Sequence, residues 1–250
     1  MTAALGRRAV ASAFARSFLI QGSWNRRTML GAGFAFAMLP ALRVLSRGDA
    51  AALEASLRRH LEHFNAHPYL ANLAIGAALR LESDHEDPEA VRRFKTAVRG
   101  PLGGLGDALV WAAWLPAVSL AALSLFWLGV PGPVAVVVFL LVYNAGHLGL
   151  RVWGFRTGLA NGRHVARSLG AAALTRWTER VRSVAALFLG LLCGALLLGE
   201  GGLSDAGLPW AGLATAAFAG GVLVGNRLWR PAAVATVAAI ALLATWGLAS

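Results

Sequence analysis

Between Gly100 and Leu150 the chain carries one Asp, Glu, Lys or Arg, Asp107. An apolar run of that length is enough for two helical crossings of a bilayer core, at about 20 residues each. A helix satisfies its own backbone hydrogen bonds, which hydrocarbon demands of any lipid-facing segment. The run therefore predicts an all-α, polytopic membrane protein. Composition agrees: charged residues make up 14% of the sequence, against about a quarter in a soluble domain.

The base is almost entirely arginine, Lys95 being the one lysine, and the net charge is +11. Excess base can signal nucleic acid. Here the arginines flank apolar spans, so the positive-inside rule accounts for them and nucleic-acid binding is not expected. Cys193 is alone, which excludes an intrachain disulfide. The N-terminus does not read as a signal peptide, because Arg16 interrupts the apolar run after Arg7 and Arg8. Val10, Phe14 and Phe18 recur every four residues, as in an amphipathic helix lying against membrane or partner.

Two regions follow. Residues 1–100 read as amphipathic and re-entrant helices, and residues 101–250 as about five transmembrane helices, the whole being one family-wide unit. In the first region Gly31–Leu45 is apolar but broken by Pro40. Ala51–His67 is predicted as one amphipathic helix with Leu53, Leu57, Leu61 and Phe64 on a face, ended by Pro68. Tyr69–Leu81 is apolar yet too short to span, hence a re-entrant or half-crossing candidate. Ser83–Pro88 reads as an acidic loop and Glu89–Val98 as a short helix. The candidate spans are Leu105–Leu128 (kinked at Pro116), Pro133–Leu150, Val184–Gly199, Leu208–Gly225 and Ala232–Leu248. The connection 151–182 holds seven arginines against Glu179 and is placed in the cytoplasm. Glu200–Gly207 is then periplasmic.

Three motifs carry the candidate chemistry. Asp107 closes Gly100-Pro101-Leu102-Gly103-Gly104-Leu105-Gly106-Asp107 at the mouth of the apolar run. A carboxylate there faces water, a partner or a ligand, and the glycines permit unwound backbone; alternatively Asp107 caps the following helix. His60, His63 and His67 stand at i, i+3 and i+7, which on one helix would share a side and could hold a metal for a membrane-bound enzyme. No second histidine cluster completes a dinuclear site, and the competing reading has Asn65 and His67 bonding freed carbonyls at a helix end. Gln21-Gly22-Ser23-Trp24-Asn25 puts amides beside an aromatic ring, a combination suited to sugar hydroxyls and a pyranose face, and equally to a turn with an interfacial Trp.

The order and spacing of these motifs resemble one family. Arg16–Asn25, His60–Leu70 and Gly100–Asp107, with a later stretch from Val142-Tyr143-Asn144 through Arg151-Val152-Trp153 to Gly158, resemble the enzyme IID component of the mannose/fructose/sorbose phosphotransferase system. The resemblance covers roughly residues 14–195. Arg26, Arg27 and Arg99 depart from its usual pattern. It implies a non-catalytic inner-membrane transport subunit with no cofactor and no metal. That subunit forms the path for a hexose-type sugar with a IIC subunit, in a hetero-oligomer served by IIA and IIB phosphocarriers. Gln21, Asn25, Asn65, His67 and Asp107 are the residues expected to contact substrate or hold broken helix ends. A transport-inactive regulatory scaffold and the metal enzyme are the alternatives.

Overall fold

The computed structural model describes residues 5–165 and 174–199, and these are helical throughout their regular structure. The elements are α1 (Arg7–Ser17), α2 (Gly31–Leu45), α3 (Ala50–Leu61), α4 (Ala71–Ser83), α5 (Pro88–Gly106), a π-helical segment (Asp107–Trp114), α6 (Leu115–Trp127), α7 (Gly132–Asn161), a 3₁₀ turn (Gly162–His164) and α8 (Leu174–Gly199). Two stretches among the described residues are long and apolar enough to cross a membrane: Pro88–Trp127, 40 residues, and Gly132–His164, 33 residues. The predicted span Val184–Gly199 falls within α8. Leu208–Gly225 and Ala232–Leu248 lie outside the described residues.

The chain divides into two compact units, residues 1–112 with 141–178, and residues 113–140 with 179–250. In the first, α4 is the central helix: every residue except Arg80 and Glu82 is buried. Small residues make this possible. A Cβ on Gly76 would stand 2.2 Å from the Phe155 carbonyl oxygen, and one on Gly158 would stand 2.1 Å from that of Leu73. Gly154 and Gly158, four apart on α7, thus let its backbone approach that of α4, the close packing by which helices associate in lipid. Helix α2 packs on α1, α3 and α4. It runs through Pro40 without a break, contrary to the expectation, because Phe34, Met38, Ala41 and Leu42 bury both halves in one core. Helices α3 and α5 begin where their caps dictate. Asp49 accepts from the Ala51 and Ala52 amides, and Asp87 accepts from the Ala90 amide ahead of Pro88.

The predicted helix 51–67 ends early, at Leu61, and its reason is tertiary. Phe64 is fully buried against Phe34, and its backbone pairs with another segment: the Phe64 amide donates to the Thr28 carbonyl at 3.2 Å and the Leu30 amide donates to the Phe64 carbonyl at 2.9 Å. These bonds require residues 62–67 to be non-helical. The predicted short helix at Glu89 is longer than expected, continuing to Trp127. Gly100–Gly106 are helical, not unwound. The local irregularity is instead the π-helical segment, which ends beside Pro116, a residue that offers no amide to the preceding turn.

In the second unit, α6 ends in a Schellman motif: Gly129 has φ 89°, its amide donates to the Phe126 carbonyl, and the Val130 amide donates to that of Leu125. Leu123, Phe126, Leu128, Val136 and Val137 are all more than half exposed. Side chains of this kind, in helices of this length, face lipid or a partner subunit.

Candidate functional site

The three sequence motifs meet in the first unit. The turn after α1 is organised by Asn25, whose Oδ1 accepts from the Arg27 and Thr28 amides (3.1 and 2.9 Å) and whose Nδ2 donates to Thr28 Oγ1 (2.9 Å). The Asn25 carbonyl accepts from the Met29 amide, and Met29 bridges to Phe64. Gln21, Asn25 and Asn65 are exposed. From Phe64 the chain runs to His67 and against α5: a Cβ on Gly106 would fall 2.1 Å from the Cβ of His67. Glycine at 106 is what allows this approach. Asp107 follows, exposed and right-handed helical (φ −63°), with helix on both sides, so it is not a helix N-cap.

His67 is 2% exposed. Its Nδ1 accepts from the Tyr69 amide at 3.2 Å, while its buried Nε2 has no hydrogen-bond partner among the described residues. The ring meets those of Tyr69 (4.9 Å) and Trp111 (5.3 Å), the latter on the π-helical segment. Burial, reinforced by the Arg151 guanidinium and by His147, lowers its pKa to about 4, so at neutral pH the ring is uncharged.

Beyond His67 lies a polar cluster that sequence reasoning did not find. Tyr69 stacks on His147 at 3.9 Å, and its hydroxyl is 3.0 Å from that of Tyr143. Arg151, 3% exposed, donates through Nε to His147 Nε2 (2.7 Å) and through Nη1 to the Ser17 carbonyl (3.0 Å) and Asn72 Oδ1 (3.2 Å). Asn72 Nδ2 donates to Ser17 Oγ at 2.8 Å. The guanidinium also lies over the rings of Phe18 and Tyr69. The sequence reading counts Arg151 among the arginines of a cytoplasmic connection, whereas it is a buried charge on α7. The available signal was spacing: Tyr143, His147 and Arg151 recur every four residues on one helical face.

The histidine triple does not form a site. With the helix ending at Leu61, His60, His63 and His67 part company, and among the described residues no three His, Cys, Asp or Glu side chains gather as metal ligands. His63 is exposed and accepts from Arg99 (3.0 Å). His60 belongs to a buried ion-pair network: its Nε2 meets Glu82 Oε1 at 2.8 Å, Arg59 donates to both Glu82 oxygens at 2.9–3.0 Å, and Lys95 Nζ donates to the Arg59 carbonyl at 2.7 Å. Burial outweighs the Glu82 hydrogen bond and lowers the His60 pKa to about 4. The Glu82 carboxyl is held below its usual range: burial alone would raise it, but His60 and the Arg59 guanidinium outweigh that effect. This network staples α3, α4 and α5, which is a structural task.

The site therefore offers amides, imidazoles, phenols and one guanidinium among aromatic faces. That inventory can bind and orient a polyhydroxylated ligand. It contains no nucleophile paired with a general base.

Comparison with known proteins agrees. Residues 4–197 match the family described as the mannose/fructose/sorbose family IID component of the phosphotransferase system. The mannose-specific EIID component of Escherichia coli K12 is 32% identical over 185 residues, 72% of this chain and 64% of that protein. The fructose permease IID component of Bacillus subtilis is 28% identical, over 75% of this chain and 69% of that protein. A cryo-EM structure of the mannose transporter ManYZ in complex with microcin E492 superposes with a TM-score of 0.60 at 30% identity, covering 75% of this chain and 70% of that one. The chain thus spans just under two thirds of the length of its Escherichia coli relatives. With the matched model covering most of its length, this membrane protein belongs to the mannose/fructose/sorbose IID family of the phosphotransferase system.

Proposed function

We propose that this chain is the IID membrane subunit of a mannose-type phosphotransferase permease. It forms, with a IIC subunit, the path for a hexose-type sugar that IIA and IIB proteins phosphorylate on the cytoplasmic side. The observation that carries this reading is His67. Its buried, uncharged ring presents an unpartnered Nε2 beside Trp111 and the Tyr69–His147–Arg151 cluster, where the three family motifs converge. A buried donor without a partner costs about 1–3 kcal/mol, a cost a sugar hydroxyl relieves. Asn25 serves the same region by holding the turn after α1, Gln21 and Asn65 offer exposed amides beside it, and Asp107 offers an exposed carboxylate at the start of the π-helical segment, a geometry frequent at functional sites.

The finer architecture belongs to the same proposal. Residues 1–100 form the amphipathic and re-entrant region, about five helices cross the membrane after it, and the connection that follows the end of α7 at Asn161 opens to the cytoplasm. The chain carries no phosphoryl group and needs no cofactor. The test is uptake of labelled hexose in cells supplying the cognate IIC and IIAB proteins. Asp107→Asn keeps the shape and removes the charge. Loss of one charged hydrogen bond, worth about 1.5–3 kcal/mol, predicts at least a tenfold drop in uptake. Normal uptake at matched membrane abundance would remove Asp107 from the site.

A further inference from the structure

A groove of about 340 Å³ runs between α1 and α7. Its walls repeat one pattern. Helix α1 contributes Arg7, Val10, Ala11 and Phe14, and α7 contributes Val152, Phe155, Arg156 and Leu159. Each set follows i, i+3, i+4, i+7 spacing, a single helical face, and each carries one arginine. Neither Arg7 nor Arg156 makes an ion pair among the described residues, both are exposed, and no carboxylate lines the groove. An apolar slot with two cations at its rim is complementary to an acyl chain joined to an anion.

The position on α7 selects the source of that ligand. Thirty helical residues extend about 45 Å, whereas the hydrocarbon core is about 30 Å thick. The apolar residues Gly132–Leu150 fill that thickness, which leaves Val152–Leu159 in the headgroup layer. The groove volume lies within the range of about 300–1,000 Å³ typical of small-ligand sites. We infer that this groove binds one anionic phospholipid, its acyl chain against Val10, Phe14 and Phe155 and its phosphate between Arg7 and Arg156. The bound lipid fastens the amphipathic N-terminal helix to the membrane helix.

Native mass spectrometry of the full-length protein, purified in the assembly in which it is extracted and exchanged against nanodiscs of phosphatidylglycerol or phosphatidylcholine, tests the site without a transport assay. The wild type retains phosphatidylglycerol in preference to phosphatidylcholine. Arg7→Gln and Arg156→Gln each weaken retention about fivefold, the contribution of one arginine near an anionic surface. Ala11→Trp fills the slot and abolishes retention while both arginines remain, so a folding defect from lost charge is distinguished from loss of the site. A photo-crosslinking residue at position 11 yields a phospholipid adduct. Equal retention of the two lipids, retention unchanged in all three variants, or a crosslink to a protein subunit in place of lipid would overturn the inference.

Discussion

Acidification should unfold the first unit through two histidines. His60 and His67 both have pKa values lowered from 6.5 to about 4 by burial. Their folded forms are neutral, so the stability they contribute is complete above pH 6.5 and is lost as pH falls towards 4. At pH 5 the unfolded chain takes up a proton at each ring that the folded chain refuses, a difference of about 2 kcal/mol per histidine. Glu82 adds little in this window because it stays ionised in the fold and a free glutamate is still mostly ionised at pH 5. The pair therefore predicts a loss of about 4 kcal/mol between pH 7 and pH 5. At roughly 2–4 °C per kcal/mol for a domain of 150–250 residues, the melting temperature falls by about 8–16 °C. Thermal unfolding of the purified protein in a neutral detergent at both pH values measures it. His60→Gln retains a donor for Glu82 and removes the titration, so it should abolish about half of the drop. A wild-type shift under about 3 °C, or an unchanged slope in His60→Gln, would refute the reasoning.

Glu82→Gln leaves the Arg59 guanidinium buried at 8% side-chain exposure without its counter-charge; breaking such a pair costs about 3–5 kcal/mol, read as a lower melting temperature at pH 7. Arg151→Met strips the Ser17 carbonyl and Asn72 Oδ1 of their donor, at about 1–3 kcal/mol each. Arg151→Lys should recover part of the loss in membrane abundance. Gly158→Ala forces a Cβ to 2.1 Å from the Leu73 oxygen and should lower stability by about 1–3 kcal/mol or more. Gly104→Ala, with open space around its Cα, is the control and should be neutral or stabilising.

The sequence by itself determined the class of the protein. A run of that length with Asp107 as its lone charge reads as membrane-crossing helix, and the residues, order and spacing of three motifs resemble one family. It also placed two helix starts within one residue, at Ala51 where the helix begins at Ala50 and at Glu89 where it begins at Pro88; the caps at Asp49 and Asp87 are local devices. Only the tertiary structure decided where helices stop and which charges are buried. Nothing within residues 51–67 says that Phe64 pairs with Thr28 and Leu30, so the sequence continued a helix that the fold ends, and with it went the shared face of His60, His63 and His67. Pro40 read as a break, yet packing on both sides outweighs the one hydrogen bond it deletes. Arg151 is the sharpest case. As one arginine among seven it reads as a surface charge. Its burial depends on Ser17 and Asn72, 134 and 79 residues away in the chain; the four-residue spacing of Tyr143, His147 and Arg151 marks a shared face of α7 but does not say what that face meets.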